Sequence, residues 1–402
     1  MSLDIRPTLA ALLRNRTGAL LVSVQIAIAL AVLVNAIYIV HQRIEKMSLP
    51  TGIDDANLFA LESAAFTERF QLNAALQEDL TYLRALPGVV AATPTNAFPL
   101  SMSGTTEDLW SLPDRKGQHA RFNLFDVDQQ GLKTLGARLI AGRDFRAEEV
   151  LPAERAADPA PQLIVTRTLA EKLFPHQNAL GRAIYDELNH SGTIIGIIED
   201  MIGIGWVGEG SVTQVAIFPE LPLRNSGYLV RTQPGRRDAI MLTVAEHLAA
   251  ANPNRVIKNV HSLEYYKRTL YVNDRAMGIV LITVTALMLA VACLGIFALA
   301  TFSVSTRTKQ IGTRRAVGAR RSDIVRYFLI ENGLITSAGV VAGCVLALAV
   351  GYWLSLQYAL PRLDLYYLVG AVLLLCATSQ LAAWQPARRA AAIPPSVATR
   401  TV

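Results

Sequence analysis

Cysteine is almost missing from this 402-residue chain. Its three cysteines, Cys293, Cys344 and Cys376, each lie inside a long uncharged run, so neither a disulfide framework nor a thiolate metal site is available. Histidine is scarce too. The six occur singly, without a His-Glu-x-x-His pair, and no Gly-x-x-x-x-Gly-Lys-Ser/Thr phosphate loop appears, so any ATP the chain depends on is expected on another polypeptide and no metal on this one. Charged residues make up only 17% against 52% hydrophobic, with a mean hydropathy of +0.32. That excludes a disordered chain and is too apolar for an ordinary soluble one. Lys plus Arg number 38 against 32 Asp plus Glu, and a balance of +6 does not argue for nucleic acid.

What the chain has in excess is apolar length. A bilayer core of about 30 Å takes about 20 apolar helical residues, and four uncharged runs meet that length: residues 19–40, 276–306, 332–361 and 365–387. The third helix is placed at 332–358, with a short turn at 359–364 before the fourth. The first run starts too late and is too long for a cleaved leader, so it is expected to stay as an anchor. The cations of the short segments fall on one side: Arg6, Arg14 and Arg16 before the first run; Arg307, Lys309, Arg314, Arg315, Arg320, Arg321 and Arg326 between the second and third; Arg388, Arg389 and Arg400 after the fourth. Only Arg362 lies in the opposite short loop. The positive-inside rule then places both termini in the cytoplasm. The predicted fold class is a polytopic α-helical membrane protein with four transmembrane helices and a large extracytoplasmic α/β (α+β) domain, residues 41–275, between helices 1 and 2. That domain is cysteine-free and carries more acidic than basic residues.

Within it the order strand, helix, Pro-Gly or Asn-Pro break, strand occurs twice. It runs once from Leu58 through the helical stretch 72–86 and Pro87-Gly88 to 89–92, and again at 227–231, 237–251, Asn252-Pro253 and 256–260. This predicts one discontinuous α/β subdomain, about 50–99 and 224–270, flanking an insertion of about 100–223. In the insertion, Gly142-Arg143-Asp144-Phe145 reads as a turn, 163–165 and 193–198 as strands, and 168–173 as helix. Trp110 and Trp206 are expected in packing roles.

Segment 307–331 combines seven cations with Gly318 as a helix stop, Ser322 as a cap and Asp323 in the first turn of the next helix. Positive-inside placement against lipid phosphates accounts for the charge. It does not account for the small residues set among the cations at Gly312, Ala316 and Gly318. In the third run Gly339, Gly343, Ala347 and Gly351 recur every four residues, a stripe that lets helix backbones approach. Gln25 and Asn35 in the first run can bond a neighbouring helix or line a wet path, and interhelical bonding is the commoner outcome. No Asp, Glu, Lys, Arg or His falls inside any run, which speaks against an ion channel, a proton-coupled carrier or an intramembrane catalytic centre. No nucleophile–base constellation supports an enzyme. Residues 5–13, with Ile5, Leu9, Leu12 and Leu13 between Arg6 and Arg14, form an amphipathic stretch expected along the inner surface.

One span, a large outer domain and then three spans resembles the MacB/FtsX type of ABC transporter permease (type VII, mechanotransmission class), here without a fused ATPase domain. Gly142-Arg143-Asp144-Phe145, the run from Ile164 to Pro175, Ala179-Leu180-Gly181-Arg182 and the run from Ile195 to Asp200 are similar to that family's periplasmic core pattern. The loop from Arg307 to Ala319 resembles its ATPase-docking loop, and the tail from Pro386 to Val397 its C-terminal signature. The resemblance implies an ATPase-coupling surface at Arg307, Lys309, Gln310, Ile311, Gly312, Arg314, Arg315, Ala316, Gly318 and Ala319, with Gln310 standing where the family usually has Glu. It implies separate ABC ATPase subunits carrying the ATP and Mg, a second permease copy or homologous permease, and a place in a bacterial inner membrane with the large domain periplasmic. A periplasmic adaptor with an outer-membrane channel follows for export of a peptide, antibiotic or similar amphiphile. The alternatives are an FtsX-like regulator of cell-wall hydrolases and a lipoprotein-releasing permease.

Overall fold

The computed structural model describes residues 16–66, 71–152, 162–205, 211–222, 226–358 and 364–394. The chain divides into two units, Leu49–Val272 on one hand and the two flanking segments together on the other.

In the first unit, a four-stranded antiparallel sheet has the order β11 (Arg255–Ser262), β1 (Leu58–Ala65), β10 (Ser226–Thr232), β2 (Val89–Thr95). Helices α2 (Leu72–Ala85) and α5 (Arg237–Ala251) cover one face. Leu76, Leu80 and Leu83 of α2 and Ile240, Val244 and Leu248 of α5 sit at helical spacing and bury against Phe59, Leu61, Tyr228 and Val230. Under α2, the buried Asp79 is ion-paired with Arg255 and accepts a hydrogen bond from the Tyr228 hydroxyl at 2.7 Å.

A second, mixed sheet has seven strands in the order β5 (Leu139–Gly142), β8 (Ser191–Ile198), β6 (Gln162–Thr166), β9 (Val215–Phe218), β4 (Lys116–Asp126), β3 (Thr105–Leu112), β7 (Ala183–Tyr185). Because β7 also pairs with β8, all but β5 close into a ring, which removes their free edges. Phe122, Leu163, Val165, Ile194 and Ala216 fill this ring with Leu169 and Leu173 from α4 (Arg167–Leu173). The β3–β4 hairpin and β7 escape the sequence reading. Their segments mix polar and apolar residues, and pairing makes strands of them. The short α3 (Gly131–Leu135) and α6 (Leu263–Leu270) close a core in which Leu58, Ala60 and Leu229 of the first sheet meet Phe125, Ile164 and Ile217 of the second. The two sheets therefore share one buried interior. Trp110 is half-buried on β3, with the Arg115 guanidinium 5.9 Å from its ring centroid; Trp206 lies outside the described residues.

The second unit contains α1 (Arg16–Ser48), α7 (Val272–Thr306), α8 (Thr308–Ala316), α9 (Arg321–Tyr358) and α10 (Leu365–Ala391). All except α8 are long and apolar enough to cross a membrane. Each outlasts its uncharged run, because a helix continues through the polar headgroup region where charges are tolerated. Helices α1, α9 and α10 enclose Ile26, Leu30, Val34, Ala347, Ala371 and Leu375, whereas α7 adds little more than Ala292 and Ile296. Asn332 of α9 donates to Ser379 of α10, and Thr336 pairs with the same hydroxyl at 2.6 Å. Residues 5–13 lie outside the described residues.

Candidate functional site

The cationic segment folds as an elbow. Arg307 links α7 to α8, and Gly318, at φ +101° in the left-handed region that favours glycine, turns the chain into α9. The N–H of Val317 donates to Thr313 and that of Ala319 to Arg314, which satisfies the last carbonyls of α8. At the start of α9, Asp323 rather than Ser322 does the capping: its carboxylate accepts from the Arg320 N–H at 3.0 Å, while Ser322 sits within the first turn.

The side chains divide by face. Ile311 and Gly312 are buried, and Ile311 packs with Ile324, Phe328, Ala387 and Ala390, fixing α8 on α9 and α10. Arg315 donates to the Ala391 carbonyl at 3.1 Å, and Ala319 is half-buried beside this cluster. The Arg314 guanidinium lies 4.9 Å from the Tyr327 ring centroid. Lys309, Gln310, Ala316, Val317 and Gly318 face outward, Val317 with 85% of its surface exposed. The predicted coupling residues are thus of two kinds, an inner set that seats the helix and an outer set that another molecule can reach.

Arg307 turns inward. Its Nη1 donates to Glu331 of α9 at 3.0 Å and to the Tyr327 hydroxyl at 3.3 Å. The Glu331 side chain is 8% exposed. A small cavity lies alongside, lined by Ser303, Arg307, Glu331 and Asn332, and the buried Ser303 hydroxyl has no partner among the described residues. Glu331 escapes the sequence reading because it stands one residue before the uncharged run. The signal was a lone acid at the edge of a cationic segment, since a charge at that depth is stable only when paired.

The small-residue stripe faces α1. A Cβ on Gly339 would come within 2.7 Å of the Ser23 carbonyl, and one on Gly343 within 3.0 Å of Ala27. Ala347 is fully buried and its carbonyl accepts from Asn35 at 3.3 Å; Gly351 is half-buried. The Gln25 amide fills the space a Cβ would need on Gly295 of α7.

In the other unit, Gly142 has φ +81°, and a Cβ there would fall 2.2 Å from the Ile195 carbonyl. Arg143 grips Glu149 through both guanidinium nitrogens at 2.8 and 2.6 Å, and Phe145 enters the shared core. The hydrogen-bonded Arg143 guanidinium holds the Glu149 carboxyl down at about 2. Asp126, at the end of β4, is pushed up to about 8 by burial and then by Glu220 and Glu107. Among the described residues no cluster of three or more His, Cys, Asp or Glu could hold a metal.

The chain has relatives among known proteins. The MacB-like periplasmic core domain family matches residues 19–258, and the FtsX-like permease C-terminal family matches residues 282–395. The chain belongs to the MacB/FtsX-type permease family. This permease is 26% identical over 335 residues to the macrolide export ATP-binding/permease protein MacB of Escherichia coli strain K12, and equally so to that of Shigella flexneri. The match covers 79% of its own length but 48% of theirs, so the chain spans about half the length of these curated relatives. Among solved structures it is similar to the periplasmic region of MacB from Actinobacillus actinomycetemcomitans, at 14% identity and a TM-score of 0.36, over 56% of this chain and 97% of that one. The extracellular domain of the ABC-type transporter YknZ from Gram-positive bacteria also matches, at 14% identity and a TM-score of 0.32, over 50% and 100%. Family membership makes this an ABC transporter permease.

Proposed function

We propose that this permease transmits ATP-driven movement from separate ATPase subunits, through a helical unit that carries no ionisable group inside its uncharged runs, to its extracytoplasmic domain. Both termini lie in the cytoplasm in this reading. The carrying observation is the two-faced elbow. Its inner face is clamped to α9 and α10 by Ile311, Gly312, Arg315 and the Arg307–Glu331 pair, and its outer face offers Lys309, Gln310, Arg314 and the projecting Val317. A push on such a helix cannot be absorbed locally and passes to the helices on which it is seated. Gln310 makes the exposed surface purely cationic and neutral, which suits an acidic groove on the ATPase.

Export or efflux of a peptide, antibiotic or similar amphiphile follows from the likeness to macrolide exporters, with an adaptor and outer-membrane channel as further partners and a second permease, identical or homologous, completing the dimer. ATP and Mg stay on the partner, and this chain has no catalytic role. The test is co-purification followed by ATPase and export assays in vesicles. Val317→Asp with Arg314→Gln is expected to leave the chain folded but to lower export and ATPase recruitment together by about tenfold, the scale of 1.4 kcal/mol at an interface. Unchanged recruitment and export would remove the elbow from the proposal. A cell-wall hydrolase, or lipoprotein release, in place of an adaptor would move the assignment to one of the alternative branches.

A further inference from the structure

At the arginine-rich end of the helical unit a groove of about 1020 Å3 opens between α9 and α10. Its walls are apolar: Val325, Leu329 and Ile330 from α9, and Ala377, Leu381 and Trp384 from α10. Its rim is cationic. Arg326 and Arg388 stand there exposed, beside Ser322 in the first turn of α9, and neither arginine is ion-paired among the described residues. The two helices run in opposite directions, so Ser322 and Arg326 lie level with Arg388, and Gly333 lies level with Gln380 at the inner end. At 1.5 Å per residue the stretch from Ser322 to Gly333 is about 16 Å long, close to half of a hydrocarbon core of about 30 Å.

Two further details set this face apart from a plain lipid-facing surface. Gly333 leaves room for the Gln380 amide, whose Nε2 lies 3.3 Å from where a Cβ would stand. The Oε1 of Gln380 is buried and has no hydrogen-bond partner among the described residues. A second copy of the chain related by a two-fold axis along the membrane normal would bring Arg326 and Arg388 to the same depth as their counterparts, setting like charges against each other. An occupant with a negative head and an apolar body one leaflet deep meets no such penalty.

We propose that this groove binds one anionic phospholipid of the leaflet at the arginine-rich end. The phosphate lies between the Arg326 and Arg388 guanidiniums, near the α9 N-terminus, and an acyl chain lies along Leu329, Leu381 and Trp384. Paired guanidiniums grip phosphate oxygens in a planar fork, which a diffuse surface charge does not. The inference stands independently of the transport reading, since it concerns lipid retention alone.

The test is native mass spectrometry of the full chain after equilibration with vesicles of phosphatidylcholine, with or without phosphatidylglycerol. One phosphatidylglycerol per chain is expected to be retained, about tenfold above phosphatidylcholine, which corresponds to 1.4 kcal/mol. Arg326→Gln with Arg388→Gln should abolish that preference, whereas Arg320→Gln with Arg321→Gln, which removes as many charges outside the groove, should keep it. Ala377→Trp fills the groove with the arginines intact and should also release the lipid. Elution as a single species and an unchanged thermal midpoint qualify each variant. Equal retention of both lipids, equal loss in the two double variants, or retention in the Ala377→Trp chain overturns the proposal. So does cross-linking of Leu381→Cys between copies, which would make the groove a contact between chains.

Discussion

At the residue scale the outer domain carries two carboxyl groups that titrate in opposite senses. Asp126, held up at about 8, binds its proton in the folded state across a range where the unfolded chain has lost it. Its contribution to stability is therefore complete below about pH 4 and fades as pH rises towards 8. Asp126→Asn is expected to raise the thermal midpoint at pH 8 and leave it nearly unchanged at pH 4, flattening the profile measured by circular dichroism. Glu149, held down at about 2 by Arg143, does the reverse: its contribution is complete above about pH 4.5 and is lost as pH falls to 2. Arg143→Gln should erase that acid-side loss. Gly142→Ala meets both a positive φ and the Ile195 carbonyl, and is expected to cost about 1–3 kcal/mol in denaturant unfolding.

At the element scale, helix contacts hold the predicted positions unequally. Gly343→Leu forces α9 away from Ala27 and Leu30 of α1 and should lower the thermal midpoint of the detergent-solubilised chain by the equivalent of about 1–3 kcal/mol. The elbow depends on a charge pair rather than on close packing. Glu331→Gln leaves Arg307 half-buried without its carboxylate and should loosen α8, read as faster hydrogen exchange over 308–316. Arg307→Gln in the same chain removes the orphaned charge and should restore most of the protection.

For the whole molecule, the proposal that the Leu49–Val272 domain and the elbow at 307–319 lie on opposite sides of the membrane is checked by labelling a chain whose three cysteines are replaced. A cysteine at the exposed Gln118 should react with an impermeant maleimide in intact spheroplasts, and one at Val317 only after lysis. Reaction of both from the same side contradicts the topology. The chain enters the outer domain from α1 and leaves it into α7 within a few residues, and these two connections are the route by which the proposed movement would reach that domain.

The amino-acid sequence by itself determined the number of apolar helices, the clustering of cations in the short segments that flank them and the strand–helix alternation at both ends of the outer domain. Each of these is a one-dimensional property, the length, sign or period of a segment. The turn at Gly142 and the stop at Gly318 were legible too, because backbone conformation there is a local demand on one residue. Only the tertiary structure decided which coupling residues face inward, that Glu331 neutralises Arg307 across the elbow, and that β3, β4 and β7 close a ring. Those outcomes depend on burial and pairing between residues far apart in the chain. A strand of mixed polarity or a charge at the edge of an apolar run has no fixed meaning until its partner arrives.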